Sequence, residues 1–310
     1  MNSKTHTVIF LSDSPDRLDK FLAAQIPSKS RSQIQRLIKE GRVLVDNLTI
    51  TKTGYSLDRR GIAIEITIPS PTPLDLQPEN IPLDIIYEDD EVLVINKPAG
   101  MIMHPAVGHT KSTLVHAVLG HTSFSEGIGG KMRPGIVHRL DKNTSGVVIL
   151  AKNEKTHLWL QKQFKLRKVQ KYYLALVDKH PPTESGKIIA PIYRDRVNRK
   201  KMAVAPKGEG KEAVTIYRTL LKLGKYSFLE IQLLTGRTHQ IRVHLSSIGS
   251  PITGDTVYGY STPTITLDRH FLHSKKLEIQ LLGQQTPRSF EAELPADLQK
   301  IIDDQKKKEQ

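Results

Sequence analysis

Hydrophobic residues recur at helical spacing near the start of the chain. Apolar side chains three and four positions apart define one face of a short helix: Leu18, Phe21, Leu22 and Ile26. Ser14 and Pro15 precede this face, and they predict a helix start with Ser14 as the cap and Pro15 in the first turn. The pattern therefore predicts an amphipathic helix that ends near residue 27.

A second helix is predicted directly after the first. Ser30 and Gln33 form a capping box, and Gly41 stops the helix. The inward positions are apolar, whereas Arg31 and Lys39 lie on the outer face. Alternating hydrophobic residues in segments 42–45 and 62–68 then predict short strands. We therefore expect residues 1–70 to form a small helical and strand domain with a basic helix face.

Prolines mark the next boundary. Five prolines between residues 69 and 82, without helical periodicity, predict an extended linker at residues 71–82. Strand patterns follow at 85–95, 147–151, 172–177, 214–221 and 228–234, and helical patterns cover 153–168 and 238–248. Because strands and helices do not alternate regularly, we expect an α+β fold with a mixed, largely antiparallel sheet over residues 83–302. Residues 303–310 are polar and predict a frayed tail.

Composition narrows the possible chemistry. The 310 residues include 46 Lys or Arg, 32 Asp or Glu and no Cys, so the formal net charge is +14. The absence of cysteine excludes disulfides, thiolate metal sites and a cysteine nucleophile, and it fits a cytoplasmic protein. The apolar runs are too short to predict a membrane span. The positive surplus indicates a polyanionic partner, and nucleic acid is the commonest one in a cytoplasm.

The positive charge is concentrated in one stretch. Residues 152–207 hold 15 basic and 4 acidic residues, interleaved with the aromatic residues Trp159, Phe164, Tyr172, Tyr173 and Tyr193. Basic groups contact phosphates and aromatic rings stack on bases, so this stretch fits single-stranded RNA. A solvated basic helix and hairpin is the plainer interpretation of the same pattern.

Twelve histidines raise the question of a metal site. Their spacings do not place two ligands one helical turn apart with a glutamate between them, which is the pattern of a helical zinc site. We therefore predict no metal and no cofactor.

The segment 133–146 carries a candidate nucleophile. Asp141 lies in a polar turn before a predicted strand, and His138, Arg139 and Lys142 flank it. Neighbouring cations favour an ionised carboxylate, which suits a nucleophile better than a general acid. A turn aspartate in a structural ion pair explains the same residues.

A strand, a glycine turn and a helix start follow one another around residues 228–244. This arrangement brings Arg237 or Arg242 to the edge of a site, where a guanidinium can bind a carboxylate bidentately. A structural arginine at a helix start is the alternative.

Three motifs together resemble the RluA/RluD branch of the pseudouridine synthases that modify ribosomal RNA. They are HRLDKNTSG at residues 138–146, KYYLALV at 171–177 and TGRTHQIRVH at 235–244, and the segment YEDDEVLVINKPAG at 87–100 resembles the same family. The resemblance covers most of the chain from about residue 83 onward. Residues 16–46 resemble the RNA-binding domain of ribosomal small-subunit protein four.

The resemblance implies a site and a reaction. Asp141 would be the catalytic aspartate, Arg242 its salt-bridge partner and Tyr173 the residue that stacks on the target base. Arg139 would fill the space left by a flipped nucleotide. The basic candidates for RNA binding are His138, Arg139, Lys171, Arg237, Arg31 and Lys39. The implied protein is a monomeric cytoplasmic enzyme that isomerises uridine in RNA, above all in large-subunit ribosomal RNA or its precursor particle.

Two other functions stay open at this point. A non-catalytic RNA-binding or ribosome-assembly protein would use the same basic surfaces. A glycosidase acting on nucleosides would need a second carboxylate near Asp141, and the matching motifs contain none.

Overall fold

A computed structural model describes residues 4–26, 29, 31–68, 76–105, 109–122, 134–199 and 201–309. The chain divides into two compact units, Met1–Pro73 and Leu74–Gln310. Strands and helices follow one another without regular alternation, which confirms the predicted α+β class. No helix within these residue ranges is long and apolar enough to cross a membrane.

The first unit packs two helices against a small sheet. Its elements are β1 (Lys4–Phe10), β2 (Asp16–Arg17), α1 (Leu18–Gln25), α2 (Arg31–Lys39), β3 (Val43–Val45), β4 (Leu48–Thr49), β5 (Ser56–Leu57) and β6 (Ile62–Ile68). The strands β1, β6, β3 and β4 pair in that order, and β2 pairs with β5. Leu22, Ile34 and Ile38 from the helices share one buried core with Ile64 and Ile66 from β6.

Helix α1 begins later than the sequence predicts. Asp16 and Arg17 are still extended because they pair with β5, and Arg17 is the N-cap of the helix. The predicted cap at Ser14 is therefore wrong, and the Ser14 amide donates to the Ser12 hydroxyl instead.

Helix α2 lies where it is predicted. It ends before Gly41, whose φ of +71° favours glycine. Ser30 of the predicted capping box lies outside the described residues, as do residues 71–75 of the predicted linker.

The second unit contains the remaining elements. They are β7 (Ile85–Glu88), β8 (Val92–Lys97), α3 (Leu114–His121), β9 (Ser145–Ala151), α4 (Glu154–Lys165), β10 (Gln170–Asp178), β11 (Ser185–Ile189), β12 (Ile192–Arg194), β13 (Met202–Val204), β14 (Val214–Leu223), β15 (Tyr226–Leu233), α5 (Gln240–Ser247), β16 (Leu272–Ile279), β17 (Arg288–Glu291) and α6 (Ala296–Lys307). The large sheet has the order β11, β14, β15, β10, β16, β9, β8, β7, and β17 pairs with β16. The β9–β16 pair is parallel and its neighbours are antiparallel, which confirms the predicted mixed, largely antiparallel sheet.

The parallel pair sits directly beside the candidate nucleophile. Gly146 on β9 has a φ of +112°, and a Cβ at this position would lie 2.2 Å from the carbonyl oxygen of Ser274 on β16. Any side chain would push the two strands apart. The glycine therefore holds the turn that carries Asp141 against the sheet.

Two helix ends in this unit differ from the predictions. His239, with a φ of +56°, is the N-cap of α5, so the helix begins at Gln240 and not at the predicted residue 238. Residues 303–307, predicted as frayed tail, form the last turns of α6. The helix continues that far because Leu298 and Ile302 are buried in the core and anchor it.

Candidate active site

A cavity of about 500 Å³ brings the three sequence motifs together. It lies where the turn before β9, the strand β10 and the start of α5 meet. Seven predicted site residues line it: His138, Arg139, Asp141, Lys171, Tyr173, Arg237 and Arg242. The other two candidates, Arg31 and Lys39, belong to α2 in the first unit.

Asp141 and Arg242 form an ion pair in the wall of the cavity. Nη1 of Arg242 lies 3.3 Å from Oδ2 of Asp141. The arginine side chain is buried on the first turn of α5, whereas 16% of the Asp141 side chain is exposed. The carboxylate therefore reaches the cavity while its cation is shielded from water.

Asp255 is a site residue that the sequence reasoning missed. Its carboxylate accepts hydrogen bonds from Nε and Nη2 of Arg242 at 2.7 and 2.9 Å, and from the amides of Val257 and Tyr258 at 2.9 and 3.1 Å. Burial raises the pKa of Asp255, but these hydrogen bonds and the charge of Arg242 lower the pKa overall. Asp255 therefore stays ionised and fixes the guanidinium, whose Nη1 is left for Asp141.

Tyr258 and His239 complete the surroundings of this ion pair. The Arg242 guanidinium carbon lies 4.9 Å from the centre of the Tyr258 ring. The Tyr258 hydroxyl accepts from the Met202 amide at 2.8 Å and is hydrogen-bonded to Nδ1 of His239 at 2.8 Å. Nε2 of His239 lies 3.9 Å from Oδ2 of Asp141. Burial lowers the pKa of His239 more than the charge of Asp141 raises it, so the ring is neutral at pH 7.

Tyr173 places an aromatic ring in the cavity wall. It lies on β10 at a bulge in the pairing with β16. Burial and the charge of Asp141 raise the pKa of Tyr173 to about 12, although a hydrogen bond with Ser274 opposes this shift. The phenol is therefore protonated at neutral pH, and it offers a neutral ring suited to stacking.

Lys97 supports the turn that carries Asp141, and the sequence reasoning gave it no role. Its buried Nζ donates to the carbonyl groups of Pro98, Met101 and Lys142 at 2.8, 2.9 and 3.2 Å. Burial lowers the pKa of Lys97 to about 7, although the nearby charge of Asp141 opposes the shift. The bond to Lys142 fixes the residue that follows Asp141. The sequence offered one signal for this role: Lys97 lies at the end of an apolar strand within the segment 87–100.

His138 makes structural contacts. Its Nε2 accepts from the Ile149 amide at 3.1 Å, and its ring stacks on Phe164 with a centroid distance of 4.8 Å. Burial, and then the charge of Lys171, lower the pKa of His138 to about 3. The neutral ring ties the turn to β9, and RNA binding by His138 stays a prediction.

The remaining basic candidates surround the cavity. Arg139 is exposed. Lys171 donates to the Thr235 carbonyl at 3.4 Å, and burial lowers its pKa to about 8. Arg237 donates from Nε to the carbonyl of Glu212 at 2.9 Å. These side chains make the lining of the cavity positively charged.

Two aromatic residues of the basic stretch are partly buried against the core, and one of them, Phe164, also lines the cavity. Trp159 and Phe164 pack against the buried residues of β8 and β9. Trp159 also donates to the carbonyl of Gln280 at 2.8 Å. The sequence pattern could not separate these rings from Tyr173, because burial depends on strands that lie elsewhere in the chain.

Among the residues that the structure describes, no group of three or more His, Asp or Glu side chains is arranged to hold a metal ion.

Comparison with known proteins gives a consistent result. Residues 91–247 match the family model for RNA pseudouridylate synthase, and residues 16–61 match the S4 domain. An uncharacterised RNA pseudouridine synthase from Aquifex aeolicus is 47% identical over 252 residues, which cover 81% of this chain and 79% of the relative. Ribosomal large subunit pseudouridine synthase D from Zymomonas mobilis is 42% identical over 296 residues, or 92% of each chain.

A solved structure agrees with these matches. The human RNA pseudouridylate synthase domain containing 4 has a TM-score of 0.56 at 26% identity, and the match covers 72% of this chain and 93% of the human one. The resemblance noted from the motifs is thereby confirmed. The chain belongs to the RNA pseudouridine synthase family and carries an S4 domain before its catalytic domain.

Proposed function

We propose that the protein isomerises specific uridines of large-subunit ribosomal RNA to pseudouridine, with Asp141 as the catalytic carboxylate. The observation that carries this proposal is the buried Asp255–Arg242 pair that presents Asp141 to the cavity. A volume of about 500 Å³ suits a flipped nucleotide, since ligand pockets of roughly 300–1,000 Å³ are usual. The name of the Zymomonas mobilis relative supports the choice of RNA.

The proposed reaction uses an ionised carboxylate beside the target uridine. The bond between uracil N1 and ribose C1′ breaks, a bond between C5 and C1′ forms, and the hydrogen lost from C5 is balanced by one gained at N1. Asp141 attacks the base or the sugar, or assists elimination at the sugar, and each route uses the carboxylate form. Arg242 pairs with that carboxylate, with Nη1 3.3 Å from Oδ2.

Asp141 can reach the target nucleotide only when that nucleotide is flipped out of its stack. Removing a base from its stack costs a few kcal/mol. Stacking on the buried ring of Tyr173 offsets part of this cost, and the exposed Arg139 fills the space that the base leaves. Lys171 and Arg237 contact the RNA backbone around the flipped nucleotide.

The S4 domain contributes RNA affinity through the basic face of α2. Arg31 and Lys39 lie on this helix, and Lys39 is exposed. We also propose that the protein acts as a monomer in the cytoplasm without a cofactor.

Tritium release tests the catalytic role of Asp141. Large-subunit ribosomal RNA labelled at carbon 5 of uracil loses tritium to water when the new bond forms there. We expect Asp141→Asn to lower the rate by on the order of 10⁴-fold or more while RNA affinity is kept. The matched control is Asp90→Asn, which alters an exposed carboxylate in the turn between β7 and β8 and should leave the rate unchanged.

The same assay separates the alternatives. Tight RNA binding without tritium release by the wild-type protein would favour the non-catalytic RNA-binding function. Loss of both affinity and release in a folded Asp141→Asn protein would give Asp141 a binding or structural role.

A further inference from the structure

His239 lines the cavity beside Asp141 in a strained backbone conformation. It is the N-cap of α5 and has a φ of +56°, which residues with a Cβ rarely adopt. Strained residues of this kind cluster at active sites. The imidazole is 22% exposed, and its Nε2 lies 3.9 Å from Oδ2 of Asp141, beyond hydrogen-bond distance.

The contacts of Tyr258 determine which nitrogen of His239 carries the proton. The Tyr258 hydroxyl accepts from the Met202 amide at 2.8 Å, and its other partner among the described residues is Nδ1 of His239 at 2.8 Å. Burial raises the pKa of Tyr258, so the hydroxyl keeps its proton and donates a hydrogen bond to Nδ1. The imidazole is neutral, because burial lowers the pKa of His239 more than the charge of Asp141 raises it. A neutral ring that accepts at Nδ1 carries its proton on Nε2.

The Nε2–H group is a donor without an acceptor in the protein. Within the part of the chain that the structure describes, no acceptor lies at hydrogen-bond distance from Nε2 of His239. Arg242 is already engaged, because its Nε and Nη2 bind Asp255 and its Nη1 binds Asp141. The neutral donor of His239 therefore remains available to a substrate atom that comes close to Asp141.

Breaking the bond between uracil N1 and ribose C1′ creates a charge that needs such a donor. On each route open to Asp141, the electron pair of this bond leaves with the base. The negative charge then spreads over N1 and the adjacent carbonyl oxygen, O2, and C1′ regains a pair when it bonds to C5. A preorganised donor aimed at an oxygen that gains negative charge lowers the barrier, and no proton has to leave the donor.

One donor can serve the base before and after it turns. The turn that brings C5 to C1′ exchanges the positions of N1 and C5, and with them those of the two carbonyl groups. The carbonyl oxygen that flanks the bond to the sugar is therefore O2 in uridine and O4 in pseudouridine. Reacting atoms approach to about 3–3.5 Å, so a base whose C1′ lies that close to Asp141 has this oxygen on the side of Nε2.

We propose that His239 donates a hydrogen bond from Nε2 to the carbonyl oxygen of the target base that flanks the bond to C1′. This hydrogen bond stabilises the detached uracil anion and holds the base through its turn. Tyr258 is the positioning residue that fixes the tautomer. The inference rests on the proposed function, because it gives His239 a part in the same reaction.

Two substitutions separate the donor from a structural role of the ring. His239→Asn keeps an acceptor at the place of Nδ1 for Tyr258 and suits the φ of +56°, but it lacks Nε2–H. We expect kcat for tritium release to fall by about 10²-fold, with KM for RNA within about twofold of the wild type. His239→Gln gives up the Tyr258 contact but places an amide N–H where Nε2 lay, and we expect its kcat to stay within about tenfold of the wild type.

A structural role through Tyr258 predicts the reverse order, with His239→Asn active and His239→Gln impaired. That order would overturn the proposal, and so would a wild-type kcat in His239→Asn.

A change in the substrate tests the contact itself. Sulfur in place of O2 accepts hydrogen bonds more weakly, so transcribed large-subunit ribosomal RNA with 2-thiouridine, tritiated at carbon 5, gives a second kcat for each protein. We expect the ratio of kcat for uridine RNA to kcat for thiouridine RNA to be about tenfold larger in the wild type than in His239→Asn. Equal ratios in the two proteins would contradict the contact.

Controls keep the result decisive. His109→Asn makes the same substitution at an exposed histidine and should leave kcat and the ratio unchanged. Thermal melting shows whether each variant is folded. His239→Gly decides if His239→Asn is unfolded, because glycine accepts the φ of +56° and also lacks the donor. We expect the kcat of His239→Gly to fall by about 10²-fold as well, and an unchanged kcat would contradict the donor role.

Failure of the proposed function is a separate result. Absence of tritium release by the wild type contradicts catalysis itself. An active wild type together with an equally active His239→Asn contradicts only the role of His239.

Discussion

The two units combine aspartate and arginine in opposite ways. In the S4 domain the carboxylate of Asp19 is buried, and Arg17 and Arg31 reach solvent. In the catalytic domain Arg242 is buried between two carboxylates, and Asp141 reaches the cavity. In each cluster the buried member orients the exposed one. The accessible charge is positive where RNA is the proposed ligand and negative where a carboxylate is the proposed catalyst.

The comparison teaches that exposure decides what an ion pair contributes. Removing one partner of a buried pair leaves an uncompensated charge and costs about 3–5 kcal/mol. Removing one of the two exposed arginines costs less, since the buried carboxylate of Asp19 keeps the other arginine as its cation. The two clusters should therefore respond unequally to the same substitution of arginine.

Arg242→Gln and Arg31→Gln test this difference with the largest expected effect. Arg242→Gln leaves Asp141 and Asp255 without their shared cation, and we expect tritium release to fall by on the order of 10³-fold. Its free energy of unfolding should fall by about 3–5 kcal/mol. Arg31→Gln leaves Asp19 paired with Arg17, so it should lose only about 1 kcal/mol and keep its kcat at saturating RNA. Urea unfolding measures the loss of stability, and tritium release measures the loss of rate. Equal losses in Arg242→Gln and Arg31→Gln would contradict the difference between the two clusters.

Asp255→Asn tests whether Asp255 acts by orienting the Arg242 guanidinium. Asp255 is buried behind Arg242, so we expect KM for RNA to stay unchanged. A guanidinium displaced by about 1 Å lowers kcat by about 10²-fold. Asp90→Asn is again the control. A rise in KM at constant kcat would instead place Asp255 in RNA binding.

Lys97→Met tests the support of the Asp141 turn. The change leaves three carbonyl groups without their donor, including that of Lys142, and we expect the free energy of unfolding to fall by about 2 kcal/mol. The exposed Lys300 on α6 offers a matched control, and Lys300→Met should change the free energy of unfolding by less than about 0.5 kcal/mol. Equal stability of the two variants would argue against the supporting role.

The smallest expected effect is a pH dependence of the S4 domain. The pKa of Asp19 is about 2 in the folded protein, below its ordinary value of 3.8. The ionised carboxylate therefore stabilises the fold above about pH 4, and this contribution is lost as pH falls toward 2. We expect the difference in melting temperature between wild type and Asp19→Asn to narrow from pH 5 to pH 2. A constant difference would show that Asp19 adds no such stability.

Elements with one clean hydrophobic period were predictable. Helix α2 and the buried strands β9, β10, β14 and β15 lie within a few residues of their predictions, because periodicity is a local property. The start of α1 was not predictable from local sequence. Strand β2 pairs with β5 some forty residues away, and this pairing keeps the backbone extended. Strand β16 also escaped prediction, because its lysines and histidine interrupt the apolar pattern.

The candidate site was predicted only in part, because motifs are local in sequence whereas some contacts of the site join distant segments. Asp141, Tyr173 and Arg242 lie in motifs, and the fold brings them to one cavity. Asp255 lies in a polar segment with no periodic signal, and its role depends on contact with Arg242 thirteen residues away. Lys97 lies in the segment 87–100 that resembles the family. Its supporting role depends on a hydrogen bond to the carbonyl of Lys142, 45 residues away.

The sequence by itself determined the α+β class, the family and the set of charged residues that lie near the motifs. The tertiary structure decided which of those charges are buried and which reach solvent or the cavity. It made Asp19 and Arg242 the buried members of their clusters, left Arg17 and Arg31 exposed, and gave Asp141 partial access to the cavity. The physical reason is that the free energy of a charge depends on its solvation and on partners from distant segments, and neither is set by local sequence.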